Sequence, residues 1–288
     1  MDMQHQIELK AMPSLLSLYR KIIFARKPGW DEQPLPSIQI KAANIQVSPS
    51  KVRHYAEVCG FTFDEALLPP TYLYVMVFRL HAAIFTDGLI TFPLLGMIHL
   101  KNKITQYRPV QIHEALSFSC ALTESRKTDI GLEVDLVSQV KVGDELVWES
   151  TSVYLYRMES KTRRTRPPKG EGLSFLAPQF WQLDEGLGRR YAKASGDYNL
   201  IHLHPFLSKR FGFERVLAHG MWSKARCVAA LMPEAELRPF TIDVSFKLPL
   251  FMPNTVTFDT ETNGDHVLFE LRDQKGRRPH LTGSLQYL

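Results

Sequence analysis

Residues 55–60, Tyr55-Ala56-Glu57-Val58-Cys59-Gly60, return 136 positions later as Tyr191-Ala192-Lys193-Ala194-Ser195-Gly196. Further matches flank them. Arg108-Pro109-Val110 lies against Leu248-Pro249-Leu250, 140 positions on, and Phe118 lies against Phe258. Offsets so close leave room for small insertions alone, so the chain reads as two copies of one fold, an intrachain pseudo-dimer. Its 288 residues suit two units of about 140 residues each.

Both copies run through the same order of elements. In the first, Ser37–Val47 alternates and is rich in Ile, which predicts a strand. Ser48-Pro49-Ser50 then supplies a helix start, and Val52–Cys59 a short helix. Pro69-Pro70-Thr71 opens a second helix that runs to about Thr86. It is apolar on nearly every side, so it has to be buried. From Gly96 to about Arg157, Ile104, Leu116, Phe118, Val134, Leu136, Val140, Trp148, Val153 and Leu155 fall in short alternating runs. Turns at Lys127-Thr128-Asp129 and Gly143-Asp144 separate them, and an antiparallel meander is predicted. The second copy repeats this with a short helix near Glu185–Ala194, an apolar helix over His219–Met232 and a β-rich tail from Arg238 to Leu288. The order gives an α+β fold, an antiparallel sheet wrapped around a central buried helix, built twice. Between the copies, Glu159–Gly172 (ESKTRRTRPPKGEG) is charged and rich in Pro and Gly, a solvated linker whose basic run also suits phosphates. The expected division is residues 1–158, linker 159–172 and residues 173–288. Ahead of both copies, Met12–Arg26 has the spacing of an amphipathic helix, expected to pack on the first unit and given no other role.

Composition narrows the function. Hydrophobic residues at 44% and charged residues at 23% exclude disordered and collagen-like chains. A net charge of +5 suits an anionic small partner or an acidic carrier protein, and it is too small to argue for nucleic acid. Cys59, Cys120 and Cys227 are few, odd in number and without metal spacing, so they read as reduced thiols. The apolar stretch Tyr72–Phe85 is too short to span a bilayer, and no signal-peptide core opens the chain. A cytoplasmic protein without membrane association is expected. Lys21, Arg26 and Lys27 leave an organelle-targeting helix as the alternative.

Chemistry concentrates in the second copy. Gly196 is placed to end the short helix in a left-handed conformation, which puts Asp197 in a turn. Asn199 can fix that turn with its side chain, and His202 follows five residues after Asp197. In a tight loop this spacing aims a carboxylate and an imidazole at one water, an acid–base pair. Ala218-His219-Gly220-Met221 opens the buried helix, where the Gly220 N–H is an unpaired donor at the positive end of the helix dipole, suited to an oxyanion. His219 is expected to orient the Gly220 turn. Two other chemistries fit these residues less well. His202, His204, Asp197 and His219 could ligate a metal, but His204 precedes Pro205 and reads as a helix cap, so no metal is assigned. Ser195 lacks the G-x-S-x-G setting of a nucleophile. For Lys224 and Arg226 on the buried helix, carboxylate pairing and phosphate binding both remain open.

These residues resemble the signature of MaoC-like, hydratase-2 type enzymes, in which S-G-D-x-N-P-x-H is followed later by H-G-M. The likeness extends through Phe211-Gly212-Phe213 and Ala218–Arg226, and more loosely over both copies. It implies a double hot-dog fold and reversible addition of water to trans-2-enoyl thioesters, giving (R)-3-hydroxyacyl thioesters, in fatty acid metabolism. The acyl group would ride on coenzyme A or acyl carrier protein, with no further cofactor. By position, Asp197 and His202 would be the catalytic pair, Gly220 the oxyanion donor, and Asn199 and His219 their companions. Leu200 stands where the family has proline. The first copy has Phe61 in place of Asp197 and Ala66 near that of His202, so its site reads as silent. The likeness gives this half the role of accommodating the acyl chain, with Tyr72, Tyr74, Met76, Phe78 and Phe85 as candidate lining, while for each of them taken singly plain core packing is the reading that weighs more. A hot-dog thioesterase and a non-catalytic acyl-thioester-binding subunit are the rival readings, and association of two chains into a homodimer stays open.

Overall fold

The computed structural model describes residues 5–158, 173–174, 176–232 and 237–288. The expected linker 159–172 lies outside them. Among the described residues, eleven strands join in one sheet, in the order β1-β2-β4-β5-β6-β3-β8-β11-β10-β9-β7. The strands are β1 His5–Leu9, β2 Ile38–Ile45, β3 Ile98–Gln106, β4 Leu116–Thr128, β5 Gly131–Val142, β6 Glu145–Arg157, β7 Gln179–Leu183, β8 Phe240–Phe246, β9 Asn254–Asn263, β10 His266–Asp273 and β11 Pro279–Tyr287. The helices are α1 Leu15–Phe24, α2 Pro49–Cys59, α3 Tyr72–Phe85, α4 Leu187–Ser195, α5 Pro205–Arg210 and α6 Gly220–Leu231.

The sheet is two half-sheets joined edge to edge. β3 and β8 pair antiparallel, and Lys103 faces Asp243, 140 positions on, the same offset that relates Pro109 to Pro249. A pairing of equivalent residues marks the pseudo-twofold axis, as an isologous interface requires. Each half-sheet curls over one buried helix. α3 lies on β2, β4 and β5, and α6 on β10 and β11. Alternation explains the grip: β5 buries Leu132, Val134, Leu136, Ser138 and Val140 toward α3 while Glu133, Asp135, Val137 and Gln139 between them stay more exposed. A single apolar core runs through both halves, from Ile38 and Tyr55 to Trp222 and Phe269, so neither half is an independent unit energetically.

The elements expected from sequence are present, with three differences. β1, parallel to β2, and β7, at the far edge beside β9, were not anticipated. They are short edge strands with little alternation to read. The meander is also incomplete. β4, β5 and β6 follow one another, but β3 crosses to the far side of β6 and forms the seam with β8. Pairing across the seam saturates an edge of β3 that a simple meander would leave open. Tyr72, Tyr74 and Phe85 are buried in the core. Tyr72 packs edge-on against Tyr55, the Tyr74 hydroxyl meets that of Tyr154 at 2.8 Å, and Phe85 packs on Phe92 and Tyr154. Met76 and Phe78 keep partial exposure.

Lys224 belongs to the seam. Its fully buried ammonium donates to the Asn102 carbonyl and side-chain oxygen at 3.0 and 2.6 Å and to the Ile242 carbonyl at 3.2 Å. Asn102 in turn donates to Ser150 and Ser152. Burial pushes the Lys224 pKa well down. It hydrogen-bonds to the two seam strands, and the Asp243 carboxylate favours its charge against that burial. Arg226 lies over the Trp181 ring at 4.4 Å.

Candidate active site

The site is built at the exit of α4. The Ser195 hydroxyl donates to the Tyr191 carbonyl at 2.8 Å and accepts the Asp197 N–H at 3.1 Å, so it serves as a local cap. Gly196 then turns the chain with φ +77°, as Gly60 does at the end of α2 with φ +80°. Asp197 follows, half-buried. Its carboxylate accepts the Asn199 N–H at 3.1 Å, and its main-chain carbonyl accepts Nε2–H of His219 at 3.0 Å. Asn199 caps a 3-10 turn, Leu200–His202, through a long contact from the Ile201 N–H at 3.5 Å. The Leu200 substitution is therefore accommodated in that turn.

His202 is held by Nδ1, which donates to the Leu217 carbonyl at 2.8 Å. That bond fixes the neutral tautomer and leaves Nε2 with a lone pair. The His202 carbonyl presses onto α4 at Gly188, where a methyl group would stand 2.0 Å from the oxygen. His219 is the residue before α6, and its ring stacks on His202 at 3.7 Å between centroids and 28° between planes. The first bond of the α6 ladder runs from the Ser223 N–H to the His219 carbonyl, so the Gly220 amide lies outside the ladder, at the helix N-terminus. The five residues singled out by sequence, Asp197, Asn199, His202, His219 and Gly220, thus lie together in one contiguous cluster. Their equivalents in the first half do not: Phe61 stacks on Tyr55, and Tyr72 takes the place against Tyr55 that His219 takes against Tyr191.

A carboxylate oxygen of Asp197 and one ring nitrogen each of His202 and His219 lie within 4.8 Å of one another. A water making two hydrogen bonds of about 2.8 Å at a tetrahedral angle spans about 4.6 Å. The separation therefore suits a shared water. It suits a metal less well, because stacked imidazoles project their lone pairs along nearly parallel planes rather than toward one point. His204 takes no part, since its Nδ1 accepts the Phe206 N–H and caps α5. Burial raises the Asp197 carboxyl above its ordinary range, against the pull of His202 and the Asn199 N–H. Burial, with His219 alongside, lowers His202 to about 3, and burial lowers His219 to about 4. Both imidazoles are neutral near pH 7.

Sequence reasoning missed one contributor. Tyr19 of α1 donates its hydroxyl to the Gly196 carbonyl at 3.1 Å and accepts the Tyr198 N–H at 2.6 Å. The available signal was a tyrosine on the inner stripe of an amphipathic helix, beside Leu15, Leu18 and Ile22. Such a ring buries its body and brings a polar handle that needs a partner.

A doubled hot-dog sheet, each half curled over one buried helix, places the protein among the double hot-dog proteins. Comparison with known proteins names the group within that class. A model of the MaoC like domain matches residues 172–283. The chain is 31% identical over 260 residues to 3-hydroxyacyl-thioester dehydratase X of Mycobacterium tuberculosis, covering 88% of this chain and 91% of the relative. The crystal structure of HtdX from the same organism superposes with a TM-score of 0.76 at 29% identity, over 86% of this chain and 99% of that one. A MaoC-like dehydratase from Phytophthora capsici shares the fold, with a TM-score of 0.72 at 18% identity over 88% and 95% of the two chains. The chain belongs to the MaoC-like dehydratase family.

Proposed function

We propose that the protein is a hydro-lyase that interconverts 3-hydroxyacyl thioesters and trans-2-enoyl thioesters, with the (R) configuration at the hydroxyl carbon. The observation that carries this reading is the Asp197 carboxylate and a ring nitrogen of His202 held within 4.8 Å of each other, beside the residue that opens α6. The Gly220 N–H receives the thioester carbonyl oxygen, which gains negative charge as water attacks. Asp197 and His202 hold that water. Its oxygen bonds to C3, one of its protons passes to the pair, and a proton returns to C2. Loss of water runs through the same steps in reverse. The name of the curated relative, a 3-hydroxyacyl-thioester dehydratase, supports this chemistry. The net charge of +5 supports an anionic carrier of the acyl group, coenzyme A or acyl carrier protein.

The test follows the loss of enoyl absorbance with enoyl-CoA substrates from short to long chain. Wild type, Asp197→Asn and His202→Ala are compared. Each substitution is expected to lower kcat at least about 100-fold. Equal rates for all three proteins would remove the pair from the mechanism, and release of free thiol from acyl-CoA would establish a thioesterase instead.

A further inference from the structure

The helix ahead of both hot-dog units has two attachments, one in each half. Its inner face carries Leu18 and Ile22, which are buried against Ala82 of α3, the central helix of the silent half. Just past its end, the Lys27 ammonium donates to the carbonyls of Phe85, Asp87 and Ile90, at and beyond the C-terminus of α3. A cation there also meets the negative end of the α3 dipole. α1 is therefore fastened to the silent half by apolar packing and by a three-bonded lysine.

Its other attachment is the loop that carries Asp197. The Tyr19 hydroxyl bonds the peptide groups on both sides of that residue, taking the Tyr198 N–H and giving its own proton to the Gly196 carbonyl. The Tyr19 ring meets the Tyr198 ring edge-on at 5.9 Å. Leu15, one turn earlier, closes over Gly196, so that a methyl group there would stand 2.9 Å from the leucine side chain. From the other side, His219 and Ser195 hold the Asp197 carbonyl and N–H. Of these holds, those of α1 alone come from outside the catalytic half. Both hydrogen-bonding capacities of the phenol are used by backbone on the two sides of the carboxylate, which is a positioning arrangement rather than general packing.

We infer that Tyr19 is a positioning residue for the Asp197 carboxylate, and that α1 is a strut through which the silent half sets the geometry of the active one. This rests on the proposed hydro-lyase reading. Tyr19 touches no reacting atom in it. It fixes the main chain on either side of Asp197, and a displacement of about 1 Å in a reacting group is enough to cost up to about 100-fold in rate.

The experiment compares wild type with Tyr19→Phe, which keeps the ring against Tyr198 and deletes both bonds, and with Lys27→Met, which loosens the fastening of α1 far from the loop. kcat, KM and the pH dependence of kcat/KM are measured with an enoyl-CoA, and thermal unfolding gives the folded fraction. Tyr19→Phe is expected to lose about 10- to 100-fold in kcat with KM changed by less than about twofold. Its acid limb is expected to shift to lower pH, because a freed loop admits water to a carboxyl that burial now holds up. Lys27→Met is expected to move kcat and the acid limb in the same directions by less. A Tyr19→Phe protein with the wild-type kcat and acid limb overturns the inference, as does a loss explained by KM or by the folded fraction. Wild type without hydration activity on any chain length overturns the hydro-lyase reading itself, a result distinct from unchanged behaviour of Tyr19→Phe in an active enzyme.

Discussion

Gly188→Ala tests whether the position of His202 is set by close backbone contact on α4. The residue is buried in the first turn of that helix, and nothing there calls for glycine on conformational grounds, since its φ is not left-handed. On helix preference alone, alanine would stabilise the protein by about 1 kcal/mol. The contact reverses the sign. The new methyl carbon would sit 2.0 Å from the His202 carbonyl oxygen, and contacts below 3.0 Å are essentially never seen, so the 3-10 turn or the helix has to retreat by roughly 1 Å. Overpacking of this kind costs about 1–3 kcal/mol, which leaves a net loss of up to about 2 kcal/mol after the helix gain. The effect on catalysis is expected to be larger. A retreat of about 1 Å carries His202 away from Asp197 and predicts a fall in kcat of up to about 100-fold, with a melting temperature lowered by a few degrees. Enoyl-CoA hydration kinetics and thermal unfolding on the same preparation measure both. A Gly188→Ala protein at least as stable as wild type and with the same kcat would refute the reasoning, because the His202 turn would then not be seated on that glycine.

Two other outcomes are expected. Gly220→Pro removes the amide assigned to the oxyanion while leaving the helix able to form, since proline is favoured in the first helical position. His219 already has the extended φ −67°, ψ 135° that a following proline prefers. The new Cβ would meet the Phe246 ring at 3.1 Å, a contact that a shift of a few tenths of an ångström relieves. Thermal unfolding should change by a few degrees at most, while kcat falls about 100- to 1000-fold; retained activity in the folded variant would rule out this donor. The second outcome concerns acid. His81 and His202 are lowered to about 3 and His219 to about 4, and His99 is lowered well below its ordinary value, all by burial. Each stays neutral in the folded chain and takes up a proton on unfolding once the pH falls below about 6.5, so stability is lost progressively from there toward pH 4. Asp197, raised by burial, acts in the opposite sense over the lower part of that window, one group against these histidines and His280, which burial lowers in the same way. Melting temperatures measured from pH 7 down to pH 4.5 should fall steadily, and a flat or rising series would contradict the buried neutral histidines.

Much of the fold was legible because its signals are local or periodic. The repeat of Tyr55–Gly60 at Tyr191–Gly196 needed no structure, since both segments end a helix with a glycine that has to turn left-handed. The all-apolar stretch Tyr72–Phe85 could not be a surface helix. The five candidate site residues were legible for a related reason: Asp197, Asn199 and His202 lie in the loop that Gly196 opens, and His219-Gly220 opens the next buried helix, so short-range turn chemistry decides most of their placement. β1 and β7 escaped because an edge strand of five residues acquires its identity from its neighbour.

What tertiary structure alone decided are contacts between parts of the chain far apart in sequence. The pairing of β3 with β8, the Lys224 ammonium shared between Asn102 and Ile242, and the Tyr19 hydroxyl on the Asp197 loop each join residues from opposite halves. Sequence pattern reports which side of an element is apolar, and hence that a surface will be covered. It carries no record of which distant group does the covering, because that depends on how the two half-sheets dock about their shared axis. The residues of the proposed acid–base pair were therefore readable in the chain, while the separation between them and the helix that bonds to their loop came from the folded molecule.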